Sequence, residues 1–180
     1  VVRGSAVLYK SEPFNIVVIP EAPFIDSAYY LVGDMCQVYN EETEAFEGGW
    51  DAATARKFNH SGKDVYEDPV FTLVIKVPDN DGNGADYWKV IPAGNYESAN
   101  IWTEGVTGVL GVVTDGDDSA EGKLVTTSPM AAKINFNTDE SSMNLYKITL
   151  NMMDYTYKVE ELNFVEYIYV PGNHQGWGPA

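Results

Sequence analysis

The chain reads as all-β, an antiparallel β-sandwich accompanied by partial strands of flanking domains. Three observations predict this: strand-type runs are dense while helical periodicity is sparse, several runs alternate with period two, and the connectors carry turn residues. Residues 6–9 and 15–19 are rich in β-branched and apolar side chains, and Pro13 and Pro20 bracket the second run as strand ends often are. Glu21-Ala22-Pro23 follows as a short stiff linker. Further strands are expected over 28–32, 70–77, 87–91, 109–113, 133–137, 145–151 and 156–162. In 145–150 the residues Tyr146, Ile148 and Leu150 share one face, and in the next run Tyr157, Val159 and Glu161 lie opposite Lys158 and Glu160. Such alternation suits a sheet with one wet side.

The loops follow the same logic. Asp79-Asn80-Asp81-Gly82-Asn83-Gly84 reads as a hairpin loop between the strands on either side, and Met152-Met153-Asp154-Tyr155 as a tighter hairpin. Asp115-Gly116-Asp117-Asp118 is a polar loop, and only 52–58 has a weak helical look.

Bulk composition narrows the function classes. Hydrophobic residues make up 44% of the 180 residues, enough to supply a core. No apolar run, Ile16-Val17-Val18-Ile19 among them, approaches the roughly 20 apolar residues of a membrane helix. Net charge is −16, from 27 acidic and 11 basic residues, and such a surface repels phosphate, so no nucleic acid is expected as partner. Neutral sugars tolerate it. Cys36 is the single cysteine, which rules out an internal disulfide and reads as a small core residue.

A repeat organises the chain. Tyr29-Tyr30-Leu31-Val32-Gly33-Asp34 is followed by Gly48-Gly49-Trp50-Asp51-Ala52-Ala53, and Tyr167-Ile168-Tyr169-Val170-Pro171-Gly172-Asn173 by Gly176-Trp177-Gly178-Pro179-Ala180. Each copy is an aromatic-rich strand, a Gly with Asp or Asn, then Gly-Trp and Ala; an acidic insertion over 40–47 stretches the first. Self-similarity at domain-length separation indicates tandem domains. Residues 1–22 are therefore expected to close a preceding domain, 23–164 to form the central sandwich, and 165–180 to open a following one. The strands of 1–22 belong to the central domain in the alternative reading.

Several short motifs, in order, resemble one family. They are Tyr30-Leu31-Val32-Gly33-Asp34, Gly49-Trp50-Asp51, Trp88-Lys89-Val90, Leu145-Tyr146-Lys147-Ile148-Thr149-Leu150 and Met153-Asp154-Tyr155-Thr156-Tyr157, with Tyr169 to Trp177 similar to a module start. Together they resemble the glycan-binding modules of SusE/SusF-like outer-membrane lipoproteins, and Ser11 to Val18 is similar to the last strand of the Ig-like domain preceding such modules. The resemblance implies a starch-binding-type β-sandwich that holds α-glucan chains without cutting them. It also implies a location at the cell surface on the outer membrane, beside a glycan importer complex, with membrane contact only through a lipid anchor outside this segment. The insertion after Asp34 and the long loop over 93–107 depart from the pattern, where ligand specificity can change.

A glycan site needs exposed rings to stack on sugar C–H faces and long polar side chains for the hydroxyls. Trp102, in a long Gly-flanked loop, is the leading candidate for a stacking platform. Trp88 and Val90 alternate toward the core, which places Tyr87, Lys89 and Ile91 on the opposite face and makes Lys89 a candidate hydroxyl donor, or else an ordinary solvated lysine. Trp50 sits in a polar Gly-rich segment; because Trp177 recurs at the same place, the fold explains Trp50 better than a ligand does. Tyr96, Tyr66 and Tyr39 are weaker candidates of the same kind.

Other chemistries find less support. Asp79, Asp81, Asn83 and Gly84 match the opening of an EF-hand loop, but Val90 stands where the bidentate Glu belongs, so no metal or other cofactor is expected. His60 lies in a turn, His174 belongs to the truncated repeat, and no carboxylate sits in a legibly apolar setting, so an enzyme is not expected. The reading is a non-catalytic module that binds a polysaccharide or oligosaccharide in a glycan-uptake system. Its alternatives are a structural spacer domain without a ligand and, more remotely, a glycoside hydrolase accessory domain.

Overall fold

In a computed structural model, the structure describes residues 22–77, 86–98, 100–102, 108–126, 131–136, 138 and 144–163. Strand runs 6–9 and 15–19, the flanking-domain segments, the 79–84 loop and the 165–180 repeat copy lie outside the described residues. The strands are β1 (Tyr29–Gly33), β2 (Gln37–Asn40), β3 (Ala45–Gly48), β4 (Arg56–Lys57), β5 (Val70–Lys76), β6 (Asp86–Pro92), β7 (Glu121–Lys123), β8 (Ile134–Phe136), β9 (Leu145–Asn151) and β10 (Thr156–Glu161), with one short helix, α1 (Ala93–Tyr96).

Two four-stranded sheets carry the fold, ordered β4-β1-β6-β8 and β5-β9-β10-β7, with every described pairing between named strands antiparallel; β2 and β3 form a separate hairpin. One edge of each sheet is blunted. β4 is the charged pair Arg56-Lys57 and β7 is Glu121-Gly122-Lys123, compositions that discourage further strand pairing.

The sheets differ in how their faces are used. In the second, β9 alternates strictly: Tyr146, Ile148 and Leu150 point inward while their neighbours stay partly exposed, as the period-two pattern predicts. β9 and β10 meet at the expected tight turn, pairing Thr156 with Asn151. In the first sheet, β1 and β6 are buried on both faces. Tyr29, Leu31, Trp88 and Val90 turn inward to the main core, while Val32 and Ile91 belong to a smaller apolar cluster. Aromatic contacts tie the sheets together: Trp88 meets Tyr157 edge-on at 5.8 Å, and Tyr29 meets Phe71 at 4.8 Å. Cys36 is a buried core residue, and burial pushes its thiol pKa up to about 11.

Three expectations are corrected. The strands on either side of 79–84 are not a hairpin pair: β5 pairs with β9, while β6 pairs with β1 and β8 in the other sheet. Asp, Asn and Gly specify a turn but not which strands pair, and the half-wet β5 and the doubly buried β6 suit different sheets. The stretch 52–58 is one 3-10 turn, Ala52–Thr54, and then edge strand β4; so short a helical segment gains nothing by propagating. The run 109–113 forms isolated bridges, Val90 to Leu110, Gly111 to Val125 and Val112 to Ala132, instead of a regular strand.

Ile148 is fully buried at the centre of the second sheet. Ile148→Ala is expected to lower unfolding free energy by about 3 kcal/mol, the usual cost of a core cavity of that size, read as a lower urea midpoint with unchanged slope. A shift below about 1 kcal/mol would show that the inward face is not the packed core described.

Candidate functional site

The outer face of the first sheet carries the cluster of interest. Val32 and Ile91 from the strands and Ile101 and Val109 from the following loop form a small apolar base, with Tyr30, Trp50, Ala52, Ala55, Tyr96 and Trp102 packed against it. A second, peripheral core on a sheet face means the loops above it rest on a fixed floor.

Trp50 is held from below. Its Nε1 donates to Asp34 Oδ1 at 2.7 Å, while Asp34 Oδ2 accepts from the Tyr87 backbone N–H at 3.0 Å. One carboxylate thereby ties the Trp50 loop to β6. The backbone approaches closely here: a Cβ on Gly33 would meet the Tyr87 carbonyl and lie 2.8 Å from Trp88 Cα. The Gly33 N–H also donates to Gly49 O at 2.8 Å, fixing the start of the Trp50 segment.

Trp102 is placed by the turn after α1. The buried Asn95 donates from Nδ2 to Ile101 O at 3.2 Å, Ser98 Oγ donates to Asn100 O at 2.6 Å, and Asn100 Oδ1 accepts from the Trp102 N–H at 3.0 Å. The Trp50 and Trp102 rings then lie 6.0 Å apart, inclined by 36°.

Lys89 projects from β6 on the face opposite Trp88, as alternation predicts, and its Nζ lies 6.0 Å from the Trp102 ring centroid. Burial lowers its pKa below the ordinary lysine value; the Asp115 carboxylate opposes this and the Lys133 charge reinforces it. Trp88 pairs with Ile134, so continuing the β6–β8 register sets Lys133 opposite Lys89. Lys133 Nζ sits 3.6 Å from Asp115 Oδ2 and 4.1 Å from the Tyr87 ring centroid. Trp50, Lys89, Trp102 and Lys133 together line an open groove of about 340 Å³, within the usual size range of small-ligand sites.

The other sequence candidates fall elsewhere. Tyr96 stacks flat on Tyr30, centroids 3.8 Å apart, and supports the cluster from the side without lining the groove. Tyr66 is not brought to it: its hydroxyl accepts from the Ile25 N–H at 3.4 Å, where the neighbouring Tyr155 hydroxyl donates to Phe24 O. Tyr39 is on the β2–β3 hairpin. Sequence reasoning missed Asp34 as the Trp50 anchor, although the Gly-Asp and Gly-Trp pairing in the repeat carried that signal. It also missed Lys133, for which no local signal exists, because its neighbour Lys89 is distant in sequence.

A larger groove of about 510 Å³ crosses the outer face of the second sheet, lined by Glu121, Lys123, Thr149, Asn151 and Lys158 among others. Its one ring, Tyr157, is buried, so it offers no stacking surface. His60 stacks on Phe71, places Nε2 2.6 Å from Asp68 O and takes the Gly62 N–H on Nδ1 at 3.2 Å, an arrangement that stiffens a loop. Glu47, Asp68, Asp117 and Glu160 have lowered pKa values, caused chiefly by hydrogen bonds from Thr43, Ser61, Ser119 and Lys158, the opposite of what a general acid needs.

A β-sandwich presenting an open pair of tryptophans beside lysines on an outer face has the design of a carbohydrate-binding module. Residues 24–161 match the family model described as SusF, first starch-specific CBM, and the chain belongs to that family. It is also similar to the crystal structure of SusF from Bacteroides thetaiotaomicron, at 25% identity and a TM-score of 0.55 over 77% of this chain. The chain spans 25% of the length of that SusF chain. No curated protein matches it.

Asp34→Ala leaves two N–H groups without their acceptor and is expected to cost about 2 kcal/mol in stability, with Trp50 loosened. Asp34→Asn, which keeps one acceptor oxygen, is expected to lose less. Urea unfolding followed by tryptophan fluorescence tests both, and equal losses in the two variants would contradict the shared-carboxylate account.

Proposed function

We propose that this chain is a non-catalytic module that binds starch-like α-glucan, and that the groove between Trp50 and Trp102 is its site. The observation that carries this reading is the pair of rings inclined by 36°, with the Lys89 ammonium 6.0 Å from the Trp102 ring centroid. Two tilted rings make a bent platform, which follows a curved glucan chain better than a flat ribbon. Sugar C–H faces rest on the indoles, and the Lys89 and Lys133 ammonium groups donate to ring hydroxyls. The family supports the ligand class, since its model is that of a starch-specific module. The same kinship favours a place on the outer-membrane surface, held by a lipid anchor elsewhere in the protein and working beside a glycan importer.

The arrangement is preassembled. Asp34 fixes one indole and the Asn95–Asn100 turn positions the other, so little side-chain entropy is lost on binding.

Trp102→Ala and Trp50→Ala are each expected to weaken binding of maltoheptaose at least tenfold in isothermal titration calorimetry, about 1.4 kcal/mol or more. Lys89→Met, which keeps the packed stem and removes the donor, is expected to weaken it about tenfold as well. Unchanged affinity in all three would remove the groove as the site. Absence of any α-glucan binding by the unaltered protein would favour a spacer role, and release of reducing sugar would overturn the non-catalytic reading.

A further inference from the structure

The acidic insertion after Asp34 folds into the β2–β3 hairpin, in which Gln37 pairs with Gly48 and Tyr39 with Phe46. Its turn, Glu41-Glu42-Thr43-Glu44, is polar, but the strands beside it carry an exposed aromatic pair. Tyr39 is 50% exposed and Phe46 66%, and their rings meet edge-on at 5.3 Å. Single exposed apolar side chains are ordinary, whereas two exposed rings in contact form a small apolar patch of the kind that contact surfaces use.

The hairpin is built to hold those rings still. Glu47 accepts hydrogen bonds from Asn40 Nδ2 at 2.9 Å and from the Thr43 hydroxyl, which cross-links the tip. Beside Tyr39 lies an open groove of about 520 Å³, lined by Asn40, Glu41, Glu42, Glu47 and Thr54 among others. Those amide, carboxylate and hydroxyl groups can accept from sugar hydroxyls, and their charge disfavours an anionic chain.

The two grooves share no lining residue but are neighbours along the chain. Gly48 and Thr54 line the hairpin groove, Trp50 between them lines the other, and the Thr54 hydroxyl accepts from the Gly49 N–H at 2.9 Å. Phe46 precedes Trp50 by four residues, a span of at most about 14 Å. That is within reach of a short oligosaccharide.

We infer that the β2–β3 hairpin is a second aromatic subsite, on which Tyr39 and Phe46 receive the continuation of a neutral α-glucan chain seated between Trp50 and Trp102. This rests on the function proposed above and extends it from a single platform to a site that reads chain length.

The test compares maltotriose with maltoheptaose by calorimetry for the unaltered protein, the double variant Tyr39→Ala/Phe46→Ala, and the ring-preserving pair Tyr39→Phe/Phe46→Tyr. Both side chains are at least half exposed, so folding should survive, and an unchanged urea midpoint verifies it. The expected result is tighter binding of the longer sugar, a loss of about fivefold to tenfold for maltoheptaose alone in the alanine variant, and its retention in the ring-preserving variant. An identical preference for length in the alanine variant would overturn the inference while leaving the Trp50–Trp102 site intact. An equal loss for both sugars also overturns it, since the hairpin would then act through the first groove. No binding of either sugar by the unaltered protein defeats the underlying function as well.

Discussion

The site depends on one carboxylate. Asp34 gives one oxygen to the Trp50 indole and the other to the backbone of Tyr87, two residues before Lys89. The Trp50 ring and the strand that carries Lys89, from segments far apart in sequence, are thereby referred to the same atoms. Hydrogen bonds to a charged acceptor are stronger than neutral ones, and the two here are 2.7 and 3.0 Å long. The close approach of Gly33 to β6 is what allows this carboxylate to reach both donors, and a side chain there would hold the strands apart.

That local arrangement relies on an asymmetry between the sheets. The second sheet uses its inner face for the core and leaves its outer face to solvent. The first is apolar on both sides of β1 and β6, so its outer face needs a cover. The loop segments around Trp50 and Trp102 supply it, packing on Val32, Ile91, Ile101 and Val109. Apolar burial that would be surplus to a minimal sandwich thus becomes the floor beneath the groove of Trp50 and Trp102. Lys89, set among apolar neighbours with its ammonium at that groove, is the polar interruption in this face, and its lowered pKa reflects the cost of placing a charge there.

Much of this was legible in the sequence where the information is local. Period-two alternation identified the inward residues of β9 and separated Trp88 from Lys89 across β6, because side-chain direction in a strand follows from position alone. The polar, Gly-rich setting of Trp50 pointed to partial exposure, and its ring is partly exposed. Pairing partners were not legible: turn residues at 79–84 suggested a hairpin where β5 and β6 lie in different sheets. Lys133 was invisible because only the β6–β8 register brings it to Lys89. The β2–β3 hairpin read as an interruption of the repeat, since its charges masked the Tyr39–Phe46 pair.

Trp50 shows why recurrence and binding are not alternatives. The repeat suggests that a tryptophan found in each module's first turn serves the fold, and the bond to Asp34 agrees with that. Yet an indole has a polar edge and two apolar faces, and anchoring the edge leaves a face free. In Trp50 the Nε1 edge is committed to Asp34 while the ring lines the groove opposite Trp102. In the second copy Asn173 stands where the first has Asp34, and its side chain also carries an acceptor oxygen. A fold that must bury one edge of a tryptophan at this turn therefore presents its face at a constant position. The neighbouring loop that carries Trp102 is not constrained by this turn and sets the second ring independently.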